Sequence, residues 1–133
     1  VPGHPERTSQ SVEGVWQALK VFATEAEDFG KLDIAAMKGI KRTVRRLGPP
    51  LGHRVAGRLL GYEEARREIY LPTYRWMLEN RAAEVVEELR ELGSRREVVL
   101  LDYTTNGDVA DLSSPLSHAA LVAHHVDHGQ RRR

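Results

Sequence analysis

Glu13, Gln17 and Lys20 stand at i, i+4 and i+7 of SVEGVWQALKVF, residues 11–22, so helical spacing puts a carboxylate, an amide and an ammonium on one stripe. Three different polar functions side by side can grip a small molecule. The same spacing also describes a solvated face with a weak ion-pair ladder, worth a few tenths of a kcal/mol. A second polar set, Asp102, Tyr103, Thr104, Thr105, Asn106, Asp108 and Asp111, follows the apolar run EVVLLDY. Loops leaving the carboxyl end of a buried strand are frequent ligand sites. The plainer reading is a tight turn at Asn106-Gly107 whose neighbours cap it. His118 lies close by in sequence and completes this set.

The third cluster is cationic. Lys38, Lys41, Arg42, Arg45 and Arg46 flank an apolar stripe and precede Gly52-His53-Arg54, a combination suited either to phosphates or to the wet side of a helix. Six histidines raise the question of a metal, yet only His124 and His128 fall at i, i+4, and no third ligand sits at a zinc spacing. Neither a metal nor a cofactor is expected. Phosphate-loop, dinucleotide and serine-nucleophile patterns are missing from the sequence.

The elements that must position these residues are read from periodicity. Residues 1–10 form a polar extended arm, 11–128 one globular domain and 129–133 a basic tail. A first helix starts near Ser11 and frays after Ala23, with Val12, Val15, Trp16, Leu19 and Phe22 facing the core. Asp33 caps a second helix that Gly48-Pro49-Pro50 stops, and LGHRVAGRLLG reads as a turn with a short apolar helix. The helical stretch 62–92 should break at Pro72, with Tyr74 or Trp76 and Met77 packed inward beyond it. Residues 97–103 give the strand, and Ser114-Pro115 open a last helix over 115–127. The fold class is α+β, mainly α-helical, with a small sheet that includes 97–103.

Composition narrows the function classes. Twenty basic against 19 acidic side chains leave a net charge of +1, so bulk electrostatics imply no nucleic-acid binder. The absence of cysteine removes disulfides, thiolate metal sites and a thiol nucleophile together. With no apolar run of membrane-spanning length and no h-region in VPGHPERTSQ, the expectation is a soluble, cytoplasmic protein with no membrane partner. The chain opens on Val rather than Met, from which some native N-terminal sequence is expected to be absent.

SVEGVWQALKVF, ARREIYLPTYRWMLENR and LLDYTTNGDVADLSSPLSHAALV together resemble a bacterial family of uncharacterised proteins over about residues 11–126. More distantly they resemble the NADAR (NAD- and ADP-ribose-associated) superfamily, which includes an N-glycosidase acting on riboflavin-biosynthesis intermediates and enzymes that remove ADP-ribose from guanine. That resemblance implies a NADAR-like helical domain. It places Glu13, Gln17 and Lys20 on the superfamily's first-helix motif and gives Glu13 the role of the carboxylate that cleaves an N-glycosidic bond. Asp102, Thr104, Asn106 and Asp108 resemble its strand-exit motif with one residue inserted. Gly14 stands where the superfamily has His, and the superfamily's Trp-Gly pair is missing.

The expected function is therefore N-glycoside hydrolysis on a ribosylated nucleotide, NAD or ADP-ribose type ligand. Glu13 and Asp108 are the candidate catalytic residues. Gln17, Lys20, Arg42, His53, Arg54, Asp102, Thr104, Asn106 and His118 are the candidate ligand contacts. Two alternatives stay open: a non-catalytic binder of nucleotides or ADP-ribose, and a nucleic-acid or protein interaction module using a basic 38–46 helix.

Overall fold

The structure, a computed structural model, describes residues 1–102 and 104–128. It is mainly helical with one small antiparallel sheet, as expected of an α+β chain, and it divides into two compact units, Val1–Thr73 and Tyr74–Arg133. Tyr103 and the tail 129–133 lie outside the described residues.

In the first unit Ser11 is the N-cap of helix α1, Val12–Ala18, its Oγ accepting from the Gly14 N–H at 2.9 Å. The helix stops well short of the expected Ala23. Lys20–Val21 become strand β1, which pairs antiparallel with β2, Gly52–Val55. Sheet pairing competes with helix propagation here, and the β-branched Val21 sits comfortably in a strand. Phe22 is buried as anticipated, although it lies just past β1 and not on the helix.

The segment expected to hold a short helix is instead a β-hairpin. Strand β2 joins β3, Arg58–Leu60, through Ala56 and Gly57, both with positive φ (50° and 77°). Two such central residues make the type I′ geometry whose twist matches a two-residue hairpin. At Gly52 a Cβ would lie 2.3 Å from the Leu60 carbonyl oxygen, so only glycine admits β3 this closely.

The expected helix over 34–47 is also corrected. A 3₁₀ helix, Phe29–Asp33, ends where that helix was to begin. Residues 34–43 are irregular and pass through Gly39 at φ 79°, and only one turn, α2 at Val44–Leu47, is helical. The basic 38–46 segment is therefore not a helix. Ile40 is fully buried from this irregular stretch, whereas Met37 and Val44 are exposed.

Helix α3, Tyr62–Ala65, runs into a π-helical stretch, Arg66–Tyr70, and then into α4, Leu71–Asn80. The chain accommodates Pro72 without an interruption. The Leu71 N–H reaches back to the Arg66 carbonyl, five residues away. Widening the turn just before Pro72 relieves the clash its ring would cause in regular α geometry. Val15, Ala18, Leu19, Leu32, Leu60, Ala65 and Ile69 form the core of this unit, with Val1 and Phe29 packed on its edge. Segment 1–10 is tied to it through the Gln10 N–H to Leu32 carbonyl bond.

The second unit holds helix α5, Ala83–Arg95, packed against α6, His118–His128. Val86 is buried, and the Arg90 guanidinium donates to the carbonyls of His125 and Val126, satisfying groups that a helix C-terminus leaves open. Of the residues expected to pack inward beyond Pro72, Tyr74 and Met77 are half-buried, whereas Trp76 is 52% exposed. Residues 97–102 form no strand, because the sheet is completed by Lys20–Val21 and the 52–60 hairpin. Helix α6 begins three residues later than expected. Ser117, not Ser114, accepts from the Ala120 N–H, and the Asp102 carboxylate accepts from Ala119 N–H.

Candidate functional site

Helix α1 places Glu13 and Gln17 one turn apart, and the side chains meet: Gln17 Nε2 donates to Glu13 Oε1 at 2.8 Å. Gln17 is 3% exposed, and its Oε1 accepts from the Arg42 backbone N–H at 3.1 Å, so both ends of the amide are fixed. This buried amide holds the carboxylate in place.

Lys20 joins the same cluster from strand β1 rather than from the helix. Burial lowers its pKa from the usual lysine value. The Glu13 carboxylate opposes that shift, and the Lys41 and Arg42 cations add to it. The half-buried ammonium thus stands in the field of one carboxylate and two cations.

Across the sheet, Lys20 pairs with His53. His53 is 3% exposed, and its Nε2–H donates to the Trp16 carbonyl at 3.1 Å, which leaves Nδ1 as the unprotonated nitrogen. Burial, with the Lys20 charge, lowers its pKa to about 4. The imidazole is neutral at physiological pH. Its ring lies 3.9 Å from the Trp16 indole, which also meets Tyr70 edge-on at 5.3 Å and Tyr62 at 6.2 Å. An aromatic cluster thus packs around the His53 imidazole.

Arg42 has a different task. Its guanidinium is buried and donates to the carbonyls of Gln17, Lys20 and Ala26, lies 3.5 Å from Glu25, and rests over the Phe22 ring. These bonds tie the end of α1 to the loop that follows it. Arg54, the next residue of β2, is held by Glu27 at 3.0 Å.

The remaining expected residues belong to the second unit. Asn106 Nδ2 donates to the carbonyls of Asp111 and Ser114, while its Oδ1 accepts from the Asp108 N–H. Thr104 Oγ1 accepts from the Asn106 N–H, and Asp108 Oδ1 accepts from the Ala110 N–H. Side-chain caps of this kind set the course of an irregular loop. Asp102 serves the start of α6, and His118 lies with its ring 5.4 Å from Tyr74. The two polar sets foreseen in the sequence therefore fall in different units, Glu13, Gln17, Lys20 and His53 in one, Asp102, Thr104, Asn106, Asp108 and His118 in the other.

Trp16, Tyr62, Tyr70 and Arg66, which pack around His53 or on one another, were not singled out by sequence reasoning. Trp16 read as a core residue of the apolar stripe. Arg66 is 2% exposed, stacks 4.3 Å over the Tyr62 ring and donates to its hydroxyl. Its position between Tyr62 and Ile69–Tyr70 at helical spacing was the available signal of a cation on an apolar face.

Among the described residues no group of three or more His, Cys, Asp or Glu side chains could hold a metal ion. No helix among them is long and apolar enough to cross a membrane.

A family model described as a family of unknown function, DUF6939, matches residues 1–122. The chain belongs to that family. No curated protein and no solved structure matches it. Membership of DUF6939 brings no stated activity, so the chemistry of the Glu13 cluster is the basis for choosing between functions.

Proposed function

We propose that this DUF6939 chain hydrolyses the N-glycosidic bond of a ribosylated nucleotide of the NAD or ADP-ribose type, using Glu13 as its carboxylate. The observation that carries the reading is a chain of neighbours within one unit: Gln17 holds Glu13, Lys20 lies in the field of Glu13 and across the sheet from His53, and His53 packs on Trp16. Departure of the base takes the C–N bonding pair and leaves positive charge on the ribosyl carbon. A carboxylate held by the Gln17 amide stabilises that charge, and water then adds at the same carbon, its proton passing to the Glu13 carboxylate and from there to solvent, or to the departed base where that base leaves as an anion. Lys20 suits a phosphate of the substrate, converting its binding into orientation of the sugar. His53, neutral and committed through Nε2–H to the Trp16 carbonyl, acts as a positioning residue that holds the indole for stacking. The resemblance to the NADAR first-helix motif supports the assignment of Glu13.

A non-catalytic nucleotide or ADP-ribose binder is the second reading, and Gly14 favours it. A Cβ at this position would lie 2.7 Å from Ser9 Oγ and 2.9 Å from the Lys31 carbonyl oxygen. The superfamily's His has no room there.

The test is base release from a panel of ribosylated nucleotides, followed by chromatography, with binding measured in parallel by calorimetry. Glu13→Gln keeps the reach toward Gln17 but not the charge, and should lower turnover about a hundredfold or more with binding retained. Unchanged turnover in that variant would remove Glu13 from the chemistry. Binding without turnover by the unmutated chain would establish the second reading.

A further inference from the structure

Residues 97–102, EVVLLD, have the composition of a strand and none of its partners. Val98, Val99 and Leu101 are 39%, 70% and 91% exposed. Among the described residues no hydrogen bond engages the backbone of residues 97–101. A run of β-branched and aliphatic side chains whose backbone N–H and C=O groups have no partner among the described residues is a template for pairing with another strand.

The charges around this segment identify the partner. Arg96 precedes it and Asp102 closes it, both exposed. An antiparallel pair of identical segments centred on Val99 sets Arg96 of each copy opposite Asp102 of the other, Val98 opposite Leu100 and Val99 opposite itself. Sliding the register by one residue toward the C-terminus would instead oppose Glu97 to Asp102, two like charges. The sequence is thus self-complementary about one two-fold axis, the symmetry an isologous dimer requires.

We propose that the chain self-associates through antiparallel pairing of residues 96–102 with the same segment of a second copy, centred on Val99. Asp102 keeps its bond to the Ala119 N–H in this arrangement and gains the Arg96 of the second copy. The paired surface is short, so the dimer is a weak and concentration-dependent one. Nothing in this proposal depends on the Glu13 chemistry.

Sedimentation velocity across a concentration series tests it with two complementary variants of the full chain. Val99→Lys and Val99→Glu each place like charges opposite one another at the axis, and each should weaken dimerisation at least several-fold. An equimolar mixture pairs lysine with glutamate and should restore association as a heterodimer. Arg96→Asp should weaken it as well, which fixes the register. The far-ultraviolet spectrum verifies that each variant is folded, and the high exposure of Val99 keeps that substitution clear of the core. A chain that stays monomeric up to about 1 mM, the weak limit of transient association, would overturn the proposal. Dimerisation untouched by both Val99 substitutions, or weakened by them without recovery in the mixture, would overturn it equally.

Discussion

Replacing Arg42 by alanine should unfold the first unit far more readily than removing any of the exposed basic residues around it. The guanidinium is fully buried and its donors serve the carbonyls of Gln17, Lys20 and Ala26, with Glu25 at 3.5 Å. Hydrogen bonds from a charged group contribute roughly 1.5–3 kcal/mol each, so three of them sum to about 4.5–9 kcal/mol before any relaxation. Two effects reduce that sum. Arg42 Nε is already buried with no partner among the described residues, and water entering the vacated space will satisfy part of what is lost. Single substitutions seldom exceed about 4–5 kcal/mol, and about 4 kcal/mol is the expected cost here. For a chain of this size that corresponds to a melting temperature lowered by roughly 10–20 °C. Urea titration followed by circular dichroism measures it. Arg46→Ala is the control, because Arg46 reaches the same Glu25 at 3.5 Å from an exposed position and should cost less than about 0.5 kcal/mol. Equal effects of the two substitutions, or a loss under about 1 kcal/mol for Arg42→Ala, would refute the view that Arg42 staples the fold.

Three further outcomes are expected. The folded-state pKa of His53, about 4, lies below its ordinary 6.5, so its contribution is complete above the unfolded value and declines as pH falls toward the folded one. Between about pH 7.5 and pH 5 the wild type should lose roughly 2 kcal/mol more stability than His53→Gln; parallel pH profiles would contradict the buried neutral imidazole. Ala56 occupies positive φ in the hairpin turn, and Ala56→Asn should raise stability by about 0.5–1 kcal/mol in thermal unfolding, a gain that a loss of stability would disprove. Asn106→Ala removes two donors and an acceptor from the 104–117 loop, so hydrogen exchange at the Asp108 N–H should accelerate while the α5 amides stay protected.

How much of this molecule was legible in its sequence depends on how local each cause is. The start of α1 was, since Ser11 and its N–H partner at Gly14 are three residues apart, and so was the proximity of Glu13 to Gln17 one helical turn on. Lys20 was expected beside them for the wrong structural reason: it arrives on a strand, and only its pairing with β2 brings His53 opposite it. The hairpin at 52–60 went unread because Ala56 is an uncommon residue at positive φ, a conformation no local preference of alanine announces.

The strand-like run at 97–102 shows the complementary limit. Composition gives a segment its capacity to pair, but a strand exists only when another backbone lies beside it. By itself the sequence determined the helical character, the Ser11 cap, the mainly-α α+β class and the Glu13–Gln17 pair on α1. Tertiary structure decided which segments found sheet partners, how the chain widened before Pro72, and that Arg42 became a buried staple while its basic neighbours remained in solvent. The physical division is one of range. Capping and periodicity act within a turn or two, whereas burial and strand pairing are settled by residues tens of positions away.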